Sequence, residues 1–308
     1  MRTLQIVEGT EYYNEIASVY NRLVALFKRK GEWEQASAYA EKGLRLRERI
    51  GDLQGVSLSL TTMSVMEWEQ GEWRRAREHL ERSLDIKRKI GDIEGIARLN
   101  SNLCELYREK GDYARAIASG EQALQIAEKI KHSSLICLAL INLAHIRILQ
   151  NECATAVTYL TRGLDLATAM GSKERLAETQ WLLGEAYLGL GKLDAAQTSA
   201  EQSVAIASEM GRRLYEGNAL RTLAKIAHQQ NARATAQEHL QRSLAVLSAS
   251  QNRFELAKTH YQLALLQRDN GERAQARATL EQVLGVFAQL GAEAERARVH
   301  AELERLQS

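Results

Sequence analysis

Glycine recurs at intervals of 40 residues along this 308-residue chain, and this period limits the folds that the chain can adopt. One series comprises Gly31, Gly71, Gly111, Asn151, Gly191, Asn231 and Gly271. A second series, 20 residues later, comprises Gly51, Gly91, Lys131, Gly171, Gly211, Gln251 and Gly291. Because glycine and asparagine tolerate the left-handed conformation that ends many helices, each series predicts a row of helix C-termini. Two helices of about 17 residues each therefore fill one period.

The chain can be written as consecutive 40-residue repeats with no insertion or deletion. We expect seven repeats, at residues 12–51, 52–91, 92–131, 132–171, 172–211, 212–251 and 252–291. When the positions within each repeat are numbered as columns 1–40, column 25 is alanine in every repeat. These alanines are Ala36, Ala76, Ala116, Ala156, Ala196, Ala236 and Ala276. This row predicts a close contact between helices, where a larger side chain would cost about 1–3 kcal/mol.

The composition favours an all-α fold. The chain contains no proline, so nothing in it breaks a helical ladder, and column 1 supplies helix N-caps. These expected caps are Asp52, Asp92, Ser172 and Asn252. The net charge is only +2, which argues against a nucleic-acid partner because such proteins usually carry a dense basic surface.

The repeats resemble those of the tetratricopeptide family, whose pattern includes a Leu-Gly pair, a following tyrosine, and later a glycine and an alanine. Repeat five carries this pattern at Leu183, Gly184, Tyr187, Gly191 and Ala196. The 40-residue period is similar to that of LGN/Pins adaptors, kinesin light chains and the sensor arrays of bacterial STAND ATPases. The resemblance implies a right-handed α-solenoid superhelix whose first helices line a concave groove that binds a protein or peptide.

The two ends of the chain differ from the repeats. Leu4 and Ile6 match the second helix of a repeat, so we interpret residues 1–11 as the tail of an incomplete preceding repeat. Such an uncapped end would allow end-to-end contact between chains, although the sequence does not determine the oligomeric state. Residues 292–308 are expected to form a C-terminal capping helix with one polar side.

Motifs for catalysis and cofactor binding are missing from the sequence. It has no phosphate-binding loop, no zinc-protease motif and no nucleophile elbow, so we expect neither an enzyme, nor a cofactor, nor a metal site. Cys104, Cys137 and Cys153 are interpreted as buried free thiols of a cytoplasmic protein. We also expect no membrane partner, because no long apolar stretch is present.

The expected groove residues lie beside the buried stripe of each first helix. The candidate ligand-binding residues are Arg98, Asn102, Glu105, Asn142, His145, Trp181, Glu185, Arg221, Lys225 and Tyr261. In peptide-binding members of the family, an asparagine at the matching position binds the ligand backbone, which suggests this role for Asn102 and Asn142. Both are predicted to be exposed, where they could equally serve only to solvate the inner wall.

Trp181 lies among apolar groove residues and could form a pocket with them or simply pack within the array. Basic residues near the C-terminal end of the groove, including Arg221 and Lys225, would suit an acidic segment or a carboxylate. The sequence therefore predicts a scaffold that binds a peptide in its groove. The alternative is a sensor array at the C-terminus of a larger signalling ATPase or transcription regulator.

Overall fold

A computed structural model of the protein describes residues 10–249 and 252–307, which form fifteen α-helices and no strand. The helices are α1 (Thr10–Lys30), α2 (Trp33–Ile50), α3 (Leu53–Glu69), α4 (Trp73–Lys89), α5 (Ile93–Glu109), α6 (Tyr113–Lys129), α7 (Ser133–Leu149), α8 (Cys153–Ala169), α9 (Lys173–Gly189), α10 (Leu193–Glu209), α11 (Arg213–Gln229), α12 (Arg233–Ser248), α13 (Arg253–Asp269), α14 (Arg273–Leu290) and α15 (Glu293–Gln307). This is an all-α helical-repeat solenoid, as the sequence predicts. The predictions based on Leu4, Ile6 and Gln251 fall outside the described residues.

The helix ends follow the period of the sequence. Ten glycines of the two series have positive φ, and so do Lys131, Asn151 and Asn231, which replace glycine in three turns. At the N-termini, the Asp52 carboxylate accepts a hydrogen bond from the Gly55 N–H at 2.9 Å. The predicted caps Asp92, Ser172 and Asn252 make the same contact in their own repeats. The cap prediction is therefore confirmed.

Small residues hold the two helices of a repeat together. All seven column-25 alanines are 0% exposed, which confirms the predicted close contact. In several repeats a hydrogen bond also joins the two helices. The Ser203 hydroxyl of α10, for example, donates to the Ala177 carbonyl oxygen of α9 at 2.7 Å. The Ser243 hydroxyl of α12 donates to the Gly217 carbonyl oxygen of α11, also at 2.7 Å. Such bonds need backbones close enough that only a small side chain fits between them.

The helices divide into two compact units at Leu103, inside α5. In the first unit, Leu60 and Met63 of α3 join Ala36 and Ala40 of α2 in one apolar core, with Trp33 packed against it. In this unit Trp73 is also buried.

The second unit, which begins at Cys104, contains helices α6 to α15. One apolar cluster of this unit includes Ile141 of α7, Leu160 of α8 and Leu182 of α9. In this unit the C-terminal helix approaches the turn between α5 and α6, because a Cβ atom placed on Gly111 would lie 3.0 Å from that of Ala294. α15 therefore contacts the turn between α5 and α6 in addition to its neighbour α14.

No helix among the described residues reaches the length and apolarity that crossing a membrane requires.

Candidate functional site

A cavity of about 110 Å³ lies inside the second unit, and we call it the Trp181 cavity. Its lining residues come from the first helices of four successive repeats and from the last two helices of the chain. They are His145, Ile148 and Leu149 of α7, Trp181, Leu182 and Glu185 of α9, Arg221 and Lys225 of α11, Lys258, Tyr261 and Gln262 of α13, Phe287 of α14, and Glu295 and Arg298 of α15.

The repeat period brings these side chains to one surface. Trp181, Arg221 and Tyr261 are 40 residues apart and occupy the same position on successive first helices. His145 and Glu185 share another position one turn further along. Because residues four apart lie on the same face of a helix, the two rows form one continuous wall.

Trp181 combines an apolar surface with an unsatisfied donor. Its side chain is only 6% exposed, and its ring contacts that of His145 edge-on, with centroids 5.4 Å apart. Among the described residues, the buried indole N–H has no hydrogen-bond partner. A buried donor without an acceptor costs about 1–3 kcal/mol, so it is a group that a ligand could satisfy.

Two carboxylates lie among the cations of the wall. The Lys225 ammonium donates to both carboxylate oxygens of Glu185, at 2.9 and 2.7 Å, and the Thr222 hydroxyl donates to the same carboxylate at 2.5 Å. Burial alone would raise the pKa of Glu185, but these partners bring it below its usual range. This carboxylate is therefore ionised and already engaged.

Glu255 is not a lining residue, but it binds two of the cations that line the cavity. The Arg221 guanidinium donates to its carboxylate at 2.6 Å, and the Lys258 ammonium donates to it at 3.0 Å. Arg221 also donates to the Thr259 hydroxyl at 3.1 Å. Burial would raise the pKa of Glu255, but the two cations lower it to about 2. One carboxylate thus forms ion pairs with two cations.

His145 is neutral in this setting. Its pKa lies well below the usual range, first because burial penalises the charged ring and then because of nearby cations. These cations are Arg108, Lys258, Arg221 and Lys225. The neutral ring can accept or donate one hydrogen bond at the cavity wall.

The C-terminal helix contributes Glu295 and Arg298 to the cavity. Burial raises the pKa of Glu295, and the Glu109 carboxylate raises it further, whereas Lys258 opposes the shift. Among the described residues, the buried Oε2 atom of Glu295 has no hydrogen-bond partner. Two lining residues, Trp181 and Glu295, thus each carry a buried polar atom without a hydrogen-bond partner.

Comparison with known protein families identifies the repeats. Models of the tetratricopeptide repeat match residues 15–89, 95–169, 175–249 and 250–289. The chain belongs to the tetratricopeptide repeat family. A search of curated proteins finds no match to it.

Solved structures with the same fold include other proteins of this repeat family. A Rap protein complexed with Competence and Sporulation Factor is 15% identical, with a TM-score of 0.64 over 97% of this chain and 98% of that one. The apo form of RapI is 21% identical, with a TM-score of 0.67 over 80% and 87% of the two chains. A tetratricopeptide repeat protein from Parabacteroides merdae is 15% identical, with a TM-score of 0.60 over 97% and 100%. At these identities the likeness establishes the fold alone.

Six of the ten candidate residues of this tetratricopeptide repeat protein line the Trp181 cavity. They are His145, Trp181, Glu185, Arg221, Lys225 and Tyr261. Of the other four, Glu105 and Asn142 lie in the second unit but not among the lining residues, and Arg98 and Asn102 belong to the first unit. In the first unit, the Arg98 guanidinium forms an ion pair with the Glu94 carboxylate at 2.8 Å.

The expectation that Asn142 is exposed was wrong, because its side chain is 3% exposed. It lies on α7 among the buried residues of that helix, where the neighbouring helices of the repeat protein cover it. Asn102 is half-buried. The buried position of Asn142 means that its replacement would alter stability as well as any contact with a ligand.

Sequence reasoning missed the contribution of α15 to the tetratricopeptide repeat cavity. The sequence predicts only a capping helix with one polar side, whereas Glu295 and Arg298 of this helix line the cavity. The helical spacing of Ala292, Val299 and Glu302, which form the buried face of α15, could have indicated that this helix packs on more than its neighbour. Phe287 of α14 was also missed, since its column usually packs inside a repeat.

The thiols of the protein are enclosed. Cys104, Cys137 and Cys153 are free and buried, as predicted, and burial raises the pKa of Cys104 to about 12 and that of Cys137 to about 11. In the part of the chain that the structure describes, no group of three or more His, Cys, Asp or Glu side chains could hold a metal ion.

Proposed function

We propose that this protein is an interaction scaffold that binds a peptide segment of a partner protein in the Trp181 cavity. The tetratricopeptide fold supports a protein-interaction role in general. The observation that carries the cavity assignment is Trp181, a lining residue whose buried indole N–H has no hydrogen-bond partner among the described residues. The proposed mode of action is reversible binding by the whole chain, without catalysis and without a cofactor.

A peptide suits the chemistry of the cavity wall. Leu182 and Phe287 supply apolar surface, and Trp181 and Gln262 add polar atoms beside it. Protein sites that bind small ligands and peptide side chains combine a mostly apolar wall with a few placed polar groups. Buried tryptophan is also enriched among the residues that carry most of the binding energy at interfaces.

The fold neighbours provide a second line of support. The Rap protein of similar fold was crystallised with Competence and Sporulation Factor, so one solenoid of comparable length binds a ligand of that name. The low identity means that this support concerns the fold's capacity for binding and not the residues of the site.

The proposal can be tested with a synthetic library of short peptides, screened for binding to the full-length chain by fluorescence anisotropy. Gln262→Trp would fill the Trp181 cavity, and Gln202→Trp would place the same side chain on the exposed surface of α10. We expect library binders to lose affinity for Gln262→Trp and to keep it for Gln202→Trp. Equal affinity for both variants would contradict the cavity assignment.

A further inference from the structure

We propose that α15 is a gate for the Trp181 cavity. It closes the cavity by packing on the turn between α5 and α6, and the carboxylates of Glu109 and Glu295 weaken this packing when both are ionised. The inference goes beyond the proposed function because it concerns access to the cavity and not the identity of its occupant. It can therefore be tested on the ligand-free chain.

The elements around the cavity form a closed circuit of contacts. The first helices α7, α9, α11 and α13 contact one another in that order, and α14 and α15 follow them. α15 then contacts the turn that precedes α6, and α6 packs on α7. Every other contact of this circuit joins elements of the same or of neighbouring repeats, whereas Gly111 lies in the third repeat and Ala294 lies beyond the seventh. The contact between these two residues is therefore the place where the circuit can open without separating one repeat from the next.

This contact has no room for an added side chain. A Cβ atom placed on Gly111 would lie 3.0 Å from the Cβ atom of Ala294 and 4.0 Å from its backbone nitrogen. α6 also lies close to α15, because burial raises the pKa of the Tyr113 hydroxyl while the charges of Arg298 and Glu295 act on it in opposite directions. The same two residues of α15 line the cavity. The structure thus shows the closed state of the proposed gate.

Two carboxylates flank the contact and oppose closure. Glu109 lies two residues before Gly111, and Glu295 directly follows Ala294. Each has a buried Oε2 atom that has no hydrogen-bond partner among the described residues. A buried carboxylate oxygen without a partner favours a state in which water reaches it, so the closed state carries a cost that opening relieves.

Other charges near Glu295 offset this cost only in part. Burial raises the pKa of Glu295, Lys258 of α13 and Arg298 lower it, and the Glu109 carboxylate raises it, so that the net shift is upward. Glu109 forms an ion pair with Arg108 at 2.7 Å. Because the pKa of Glu295 is raised in the closed state, closure is strongest when Glu295 is protonated and weakens as the pH rises through that pKa. The gate therefore opens more readily at neutral than at acidic pH.

The experiment measures opening of the ligand-free, full-length chain at two positions. Hydrogen–deuterium exchange followed by mass spectrometry reports on the backbone of α15. NMR of the ¹⁵N-labelled chain reports on solvent exchange of the Trp181 indole N–H, which is assigned by its loss in Trp181→Phe. Glu295→Gln should slow both exchange processes several-fold at neutral pH. Glu304→Gln is the matched control, because it removes the same charge from an exposed position of α15 and should change neither rate.

The coupling of the two carboxylates is tested by pH and by a double variant. The difference between the wild type and Glu295→Gln should shrink as the pH falls towards 4.5, the ordinary pKa of glutamate, because Glu295 is then protonated in the closed state. In a Glu109→Gln background, Glu295→Gln should slow exchange less than it does in the wild type, since the repulsion between the carboxylates is already gone.

A second pair of variants opens the gate. Ala294→Leu places a larger side chain against the Gly111 turn and should speed both exchange processes about tenfold. Ala297→Leu adds the same side chain at an exposed position of α15 and should leave both rates unchanged. Backbone exchange in α7 and α9 should stay as in the wild type for every variant, which shows that the repeats remain folded.

Two results would overturn the gate. One is that the Trp181 indole exchanges at the same rate in Ala294→Leu as in Ala297→Leu, because α15 would then not control access to the cavity. The other is that Glu295→Gln speeds exchange or matches Glu304→Gln, because the carboxylates would then not oppose closure. Neither result bears on whether the cavity binds a peptide, which the comparison of Gln262→Trp with Gln202→Trp decides separately.

Discussion

The Lys225 ammonium nitrogen lies 2.7 Å from one carboxylate oxygen of Glu185, a residue that occupies the same position of the preceding repeat. The repeat period therefore does more than align apolar residues, because it also pairs opposite charges on neighbouring first helices. Charges that the sequence suggests as free for a ligand are in part neutralised within the wall. The buried indole N–H of Trp181, by contrast, has no hydrogen-bond partner among the described residues.

Lys225→Met should destabilise the second unit, because it leaves the Glu185 carboxylate buried without its cation. Removing one partner of a buried ion pair costs about 3–5 kcal/mol, and this pair is partly exposed, so we expect about 1–3 kcal/mol. Urea unfolding followed by circular dichroism measures the loss. Combining Lys225→Met with Glu185→Leu should restore much of it; a double variant whose loss equals the sum of the two single losses would show that the pair is not coupled.

Ala156→Leu should destabilise the array by about 1–3 kcal/mol, because the column-25 alanine of α8 is fully buried at a helix contact. Ala154→Leu, two residues earlier on the same helix, is exposed and serves as the control. Thermal unfolding should show a lower midpoint for the first variant alone. Equal midpoints would mean that the helices at column 25 can separate without cost.

Lys131→Gly should stabilise the chain by about 0.5–1 kcal/mol. Lys131 has φ of 54°, a left-handed conformation that glycine adopts without the steric cost of a Cβ atom. The reverse change, Gly171→Lys, has open space around the Cβ position but φ of 61°, so it should destabilise by a similar amount. Urea midpoints that move in the same direction for both variants would refute this account of the turns.

Glu255 should make the second unit sensitive to acid. Its folded-state pKa of about 2 lies below the ordinary value of 4.5, so its contribution is present above about pH 4.5 and is lost as the pH falls towards 2. The contribution is on the order of 3 kcal/mol. Glu255→Gln should therefore be less stable than the wild type at neutral pH, and the difference should shrink on acidification. A difference that stays constant from neutral pH to pH 2–3 would exclude this role.

The fold could be predicted because the same local sequence pattern recurs in each repeat. Turn residues such as Gly171, caps such as Asp52 and the alanines of column 25 all carry local information, and seven copies make the pattern unambiguous. Local propensity and packing agree at every level, which is the condition for a sequence to specify its fold.

The site was only partly predictable. Periodicity places Trp181 and Tyr261 on a common surface, but it does not show that Arg221 turns inward to bind Glu255. Nor does it show that α15 approaches the Gly111 turn and brings Glu295 to the cavity, because that contact joins segments far apart in sequence. Pairing between distant side chains depends on how successive repeats are rotated, and a single column does not encode that rotation.

The most direct test of the central claim observes the Trp181 indole itself. The chain has four tryptophans, and Trp181 is the only one in the second unit; Trp33, Trp68 and Trp73 lie before residue 104. In protein labelled with ¹⁵N at tryptophan, the indole N–H resonance missing from Trp181→Phe identifies the cavity signal. The account predicts that a bound library peptide shifts this resonance and leaves the other three in place. A peptide that binds while the Trp181 resonance stays unchanged would contradict it.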